Sequence, residues 1–214
     1  MKPETRVTGV CLNSRKLLLF LMALLLFAAM QPPGALAQEG ARVKSLNLAD
    51  LVNYSGVIVR GQVLSVKAEK HPQLTNANTV VVTLRVSEVL KGEAGPEYTF
   101  RQYAWDIRDA NSRLGYKVGE EVLLMLLPPS QYGLSSPVGF AQGRFRFQRD
   151  ALGNETAVNG WSNRGLMTGI EAAMPQLEQK LSAAARVVVK QHQDGPIGYT
   201  EFKDLIRGII AARQ

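Results

Sequence analysis

The chain has 214 residues, 46% hydrophobic and 20% charged, which excludes a disordered chain and suits one domain with its own core. Part of its formal charge of +7 sits near the amino terminus, where Lys2, Arg6, Arg15 and Lys16 face only Glu4. Taking these from 25 bases and 18 acids leaves 21 against 17, a net +4, too mild an excess to argue for nucleic acid or an anionic membrane surface.

Arg15 and Lys16 abut an apolar run, residues 17–30, of 14 residues. That length suits a signal-peptide core and is short of the roughly 20 residues of a membrane span. Pro32-Pro33-Gly34 breaks the run, and Ala35-Leu36-Ala37 offers small residues where a signal peptidase cuts. The expectation is a signal peptide over residues 1–37 with cleavage between Ala37 and Gln38. The protein is then periplasmic or extracellular, with no stable membrane span after cleavage. Cys11, the single cysteine, is lost with the leader. The remaining chain has no thiol for a disulfide, a nucleophile or a thiolate metal site.

Residues 38–45 form a polar lead-in. Asn47 is placed to cap a short helix, with Asp50 near its positive end, Leu48, Leu51 and Val52 as an apolar stripe, and Gly56 just past its end. A strand from Val57 to about Lys67 follows. Val57, Val59, Gly61 and Val63 share one face, and Ile58, Arg60 and Gln62 the other. Beyond Gly61 the phase moves to Leu64 and Val66, which predicts a bulge or bend. His71 to Asn78 is a turn. In the next strand Val80, Val82, Leu84 and Val86 alternate with Val81, Thr83, Arg85 and Ser87, the half-buried antiparallel pattern. A third strand, Glu97 to Tyr103, puts Tyr98 and Phe100 on one face.

Periodicity fails over residues 104–119, which read as a long loop, and long loops carry function more often than average. Glu121 to Leu127 is an apolar run expected to be buried on both faces. Gly143 to Phe147 alternates and turns through Asp150–Asn154 into a short strand near Thr156–Val158. Leu177, Leu181, Ala184 and Val188 predict one helix after Pro175. Gly195-Pro196 ends it. Thr200 is placed to cap a last helix bearing Phe202, Leu205, Ile206, Ile209 and Ile210. The expected fold is mainly β with flanking α: an OB-like antiparallel barrel of five or six strands over residues 46–160, packed by a carboxy-terminal helical segment, residues 161–214.

Chemistry-bearing patterns are sparse. The two histidines, His71 and His192, read as solvated surface residues rather than an acid–base or zinc pair. No G-x-S-x-G or phosphate-binding glycine loop occurs. Asp106 and Asp109 flank Arg108 beside Trp105, a carboxylate pair that could serve glycoside cleavage or calcium but reads as a solvated loop. Arg144-Phe-Arg-Phe147 interleaves bases and rings, yet strand alternation turns the rings inward, against nucleic-acid binding. Asn53-Tyr-Ser55 and Asn154-Glu-Thr156 match glycosylation sequons. Tyr103, Trp105 and Tyr116 gather around the long loop, and Trp161 follows the last strand; loop aromatics are raw material for binding surfaces.

The segments Leu48-Ala-Asp-Leu-Val52, Val57-Ile-Val-Arg-Gly-Gln-Val63, Val82-Thr-Leu-Arg-Val-Ser-Glu-Val-Leu-Lys-Gly92 and Val118-Gly-Glu-Glu-Val-Leu-Leu124 resemble a group of exported bacterial proteins of unknown function. In layout the chain also resembles the netrin-like domain of tissue inhibitors of metalloproteinases, an OB-type barrel with flanking helices. The resemblance covers about residues 46–147 and implies a stable exported barrel whose loops bind something. Those inhibitors chelate zinc through an amino-terminal cysteine. No cysteine remains here, so that mechanism and its site residues do not carry over.

The expectation is therefore an exported non-enzymatic protein with no catalytic residues, metal or cofactor. It binds a protein or cell-envelope partner, not nucleic acid, through Tyr103, Trp105, Asp106, Asp109 and Tyr116. The alternatives are an inhibitor-like partner of a secreted peptidase and a hydrolase using Asp106, Asp109 and Glu121.

Overall fold

A computed structural model describes residues 44–212. The expected signal peptide, Cys11, the Ala37–Gln38 cleavage site and residues 38–43 of the lead-in lie outside the described residues. Helix α1, Leu48–Tyr54, starts as its sequence predicts: the Asn47 side chain accepts from the Asp50 N–H, and Leu48, Leu51 and Val52 are buried. Asn47 also donates to the Thr168 carbonyl at 2.8 Å, which ties the cap to a distant turn.

Strands β1 (Val57–Lys70) and β2 (Asn78–Lys91) form a long antiparallel pair. Their register slips between Ile58 and Val59, between Arg60 and Gly61, and between Val63 and Ser65. A side chain at Gly61 would collide with the Arg85 carbonyl oxygen, so glycine is what lets the strands cross this closely. The buried inner face runs Val59, Val63 and then Val66, three positions on, as the phase shift in the sequence predicts. On β2 the buried apolar set is Val80, Val82 and Leu84, beside a buried Thr79. Strand β3 (Glu97–Ala104) pairs with β2, and β4 (Glu121–Leu126) pairs with the other side of β1.

A short helix α2 (Ile107–Asn111) lies between β3 and β4. Strands β5 (Arg144–Arg149) and β6 (Glu155–Asn159) make the expected hairpin around Asp150–Asn154. Helices α3 (Met174–Leu177) and α4 (Ala183–Gln191) follow, then strand β7 (Ile197–Gly198) and helix α5 (Tyr199–Ala211). The result is mainly β: one seven-stranded antiparallel sheet in the order β3-β2-β1-β4-β5-β6-β7, with five α-helices among the described residues.

The sheet is open, which corrects the expectation of a closed five- or six-stranded barrel. Its ladder ends at β3 and β7. Among the described residues two isolated bridges tie the β4–β5 connection into the gap between β3 and β4: Arg101 with Leu134 in parallel, and Leu126 with Pro137 in antiparallel. The seventh strand escapes sequence reading because two residues beside a Gly-Pro break show no alternation.

Two cores result. One lies inside the curl of β1–β4: Val59, Val63, Val80, Val82, Leu84, Phe100, Val122, Leu124 and Leu126, covered by Ala110 of α2 and Tyr116. The other joins the opposite face to the helices through Ile58, Leu123, Met125, Phe145, Leu177, Phe202, Leu205 and Ile206. Strand β4 supplies both, as its unbroken apolar run predicts. Each such fully buried aliphatic stabilises the fold by about 2 kcal/mol.

Two expectations about the tail are corrected. The single helix after Pro175 is broken, because Leu181 is extended and Ser182 caps α4 by accepting from the Ala185 N–H. The buried face moves accordingly to Ala185 and Val189 instead of Ala184 and Val188. Helix α5 begins at Tyr199, one residue before the expected Thr200 cap, on Gly198, which makes no side-chain cap bond.

Candidate functional site

The five expected site residues divide between surface and core. Tyr103 is the next-to-last residue of β3 and its ring is partly exposed, and Trp105, just beyond the strand, is 69% exposed. Their rings meet edge to face at 5.6 Å between centroids. Asp106 caps α2, accepting from the Arg108 and Asp109 N–H groups. The Asp109 N–H, and then the Arg108 guanidinium at 3.1 Å, hold the Asp106 carboxyl below the usual range. The carboxylate thus holds a helix end, and Asp109 follows in the first helical turn.

Tyr116 is not on that surface. It is buried against Phe100, its hydroxyl donates to Gln102 Oε1 at 3.0 Å, and Arg144 stacks over its ring at 4.6 Å. Burial pushes its phenol up to about 12. Arg113, Leu114 and Gly115, all at positive φ, bring the chain back to place it, and Arg144 donates to the Leu114 carbonyl. Ala110 and Tyr116 of the irregular segment thus close the inner core, while most of its other residues, from 105 to 119, face outward.

What the sequence reading missed is the opposite wall. Tyr103 and Trp105 share a groove of about 250 Å³ with Leu127, Pro128, Leu134 and Phe140. These come from the connection between β4 and β5, at the gap where the sheet fails to close. Phe140 is 44% exposed and holds φ +55°, straight after Gly139 at +60°. A bulky residue in that region costs about 1–2 kcal/mol, and such strain gathers at functional sites. One sequence signal was available: residues 122–143 carry no charge yet include Tyr132 and Phe140 beyond the strand.

His71 secures this rim and corrects the expectation of a solvated histidine. It is 3% exposed. Its Nδ1 accepts from the Gln73 and Leu74 N–H groups, so its Nε2–H donates to the Tyr132 carbonyl at 2.9 Å. The β1–β2 turn is thereby tied to the β4–β5 connection, and a second hollow, lined by that turn, opens on the other side of Tyr103. His192 is half-buried, and burial lowers its pKa.

A larger hollow of about 750 Å³ lies between the β5–β6 hairpin and the start of α5, and the fold already uses two of its three acids, Asp150 and Glu155. Asp150 accepts from the Leu152 and Asn154 N–H groups. Glu155 takes both terminal nitrogens of Arg60 at 2.7–2.8 Å, and Glu121 takes its Nε at 2.8 Å. Arg60 sits against the rings of Phe147 and Tyr199, 4.0 and 4.5 Å from their centroids, and those two rings meet edge to face at 5.0 Å. Burial works against its charge, but the bonds to Glu155 and Glu121 outweigh that and raise its pKa. Tyr199 donates to Glu88 at 2.7 Å, and Lys203 and Arg207 flank the same carboxylate. This network clamps α5 to the sheet, and Glu121 belongs to it.

Among the described residues no group of three or more His, Cys, Asp or Glu side chains is placed to hold a metal ion, and no helix is long and apolar enough to cross a membrane. No family model, no curated protein and no solved structure matches the chain.

Proposed function

We propose that this is an exported, non-enzymatic binding protein whose partner, a protein or a component of the cell envelope, docks on the groove around Tyr103, Trp105 and Phe140. The observation that carries the reading is the cluster of exposed rings at the gap between β3 and β4. Large apolar side chains held in the open by ordered backbone mark interaction surfaces more often than scattered exposure does. Export rests on the apolar run and small-residue site of residues 17–37.

We further read the β1–β4 half as an incompletely closed barrel of OB type. Strand β1 pairs on both sides, α2 covers the inner core between β3 and β4, and the connection through Leu134 and Pro137 spans the remaining gap. In this reading the groove is the seam of the barrel. An inhibitor of secreted peptidases would use the same surface and differ only in its partner.

The test is a photo-cross-linking amino acid placed at position 105, 140 or 152 in the producing cell. Leu152, 86% exposed at the β5–β6 turn, is the control. A discrete adduct from 105 and 140 but not from 152 is expected. No adduct from 105 and 140, or the same adduct from all three positions, would overturn the reading.

A further inference from the structure

We infer that the groove takes an extended, uncharged peptide segment of a partner protein, added as a strand alongside β3 at Tyr103. This rests on the binding surface proposed above and names its ligand. The first support is the state of the β3 edge. The Arg101 carbonyl accepts from the Ser135 N–H at 2.8 Å, so the Arg101 backbone points away from β2. Backbone direction repeats every second residue of a strand, so the N–H and C=O of Tyr103 point the same way.

The connecting chain does not follow β3 that far. By Ser136 it has crossed to β4, where its carbonyl accepts from the Leu127 N–H at 2.9 Å. Among the described residues no backbone group outside the β2 ladder reaches Tyr103. A donor and an acceptor thus stand open at the lip of the groove, the arrangement by which a peptide adds to a sheet edge. A lipid tail has nothing to offer them.

The second support is the wall beside that edge. Trp105, Leu127 and Phe140 give an apolar recess for a side chain projecting from the added strand. The third is charge. No charged residue occurs in residues 122–143, Asp106 and Arg108 beyond Trp105 are paired with each other, and Arg101, two positions before Tyr103 on β3, is paired with Glu69. A charged segment would lose hydration here without gaining a counter-ion.

The experiment pans a phage-displayed random dodecapeptide library on the full chain as the cell produces it, with Trp105→Ala as counter-selection. Uncharged sequences with alternating apolar residues should be enriched. In a synthetic copy of the best of them, N-methylation of alternate amides on one edge should weaken binding roughly tenfold, the loss of one or two backbone hydrogen bonds. The amides of the other edge should tolerate it. Slowed hydrogen exchange at the Tyr103 amide on binding should accompany this.

Failure to enrich any peptide that distinguishes wild type from Trp105→Ala would overturn the inference, as would equal tolerance of N-methylation on both edges. Trp105-dependent binding of neutral oligosaccharides or phosphatidylcholine vesicles without peptide binding would overturn the peptide assignment too. In each case a cross-link from position 105 leaves the proposed surface standing. Loss of that cross-link as well would remove both.

Discussion

At the scale of single residues, strand crossing and side-chain display make opposite demands. Gly61 is needed because the Arg85 carbonyl occupies the space of a side chain, and that oxygen belongs to a backbone held in the β1–β2 ladder. Gly61→Ala should cost about 2–3 kcal/mol in urea unfolding, the range for overpacking a site that cannot relax. Phe140 is the reverse case. Its φ of +55° disfavours phenylalanine, and its ring is 44% exposed, so the fold gains little from it. Asparagine tolerates this backbone region. Phe140→Asn should leave stability unchanged or raise it by up to about 1 kcal/mol, while weakening partner capture. A loss above about 2 kcal/mol would make Phe140 a structural residue.

At the scale of elements, the groove depends on three connections meeting around Tyr103, and His71 is the tie between two of them. His71→Ala removes the acceptor for two backbone N–H groups and the donor to Tyr132. Amide exchange should quicken in residues 72–77 and 130–135 by about tenfold or more while the β1–β2 ladder stays protected. Unchanged exchange in both segments would show that the connections hold without it.

The sequence made some elements plain and hid others for a physical reason. The α1 cap, the bend at Gly61, the alternation of β2, the doubly buried β4 and the β5–β6 hairpin are local, and each rests on residues within a few positions of one another. The role of His71 depends on a carbonyl 61 residues away, and Tyr116 packs under an arginine from β5. Neither distance leaves a periodic trace. Tyr103 and Trp105 were legible as loop aromatics, but composition does not separate an exposed ring from a plug such as Tyr116. The break before α4 was masked by apolar residues that fit one helix or two.

At the scale of the molecule, the titrating groups define a window of stability. Burial raises the Glu88 pKa, but the hydrogen bonds from Tyr199 and Lys203 and the charges of Lys203 and Arg207 together bring it below 4.5. A carboxylate lowered in the folded state adds stability that is present above 4.5 and lost as pH falls below it. His192, lowered by burial from 6.5, likewise opposes folding once pH falls below 6.5. Tyr98, Tyr116 and Tyr199 are all raised from 10.0 by burial, with Glu88 adding to the shift at Tyr199. The unfolded chain then ionises first, so stability is present below pH 10 and falls as pH rises through it; Tyr116 alone accounts for about 3 kcal/mol. Urea unfolding across pH should therefore show a plateau from about pH 7 to 10 with a decline on either side. Stability still rising above pH 10 would contradict this placement of the tyrosines.

The central claim is that the rings around Tyr103 serve a partner rather than the core. The most direct measurement is capture of the cross-linked partner by Trp105→Ala, at a concentration where urea unfolding confirms that the variant is folded. Stability within about 0.5 kcal/mol of the parent chain, with capture reduced roughly tenfold, is the expected result. A variant that loses about 2 kcal/mol or more of stability and captures its partner as well as the parent would contradict the claim and return Trp105 to the fold.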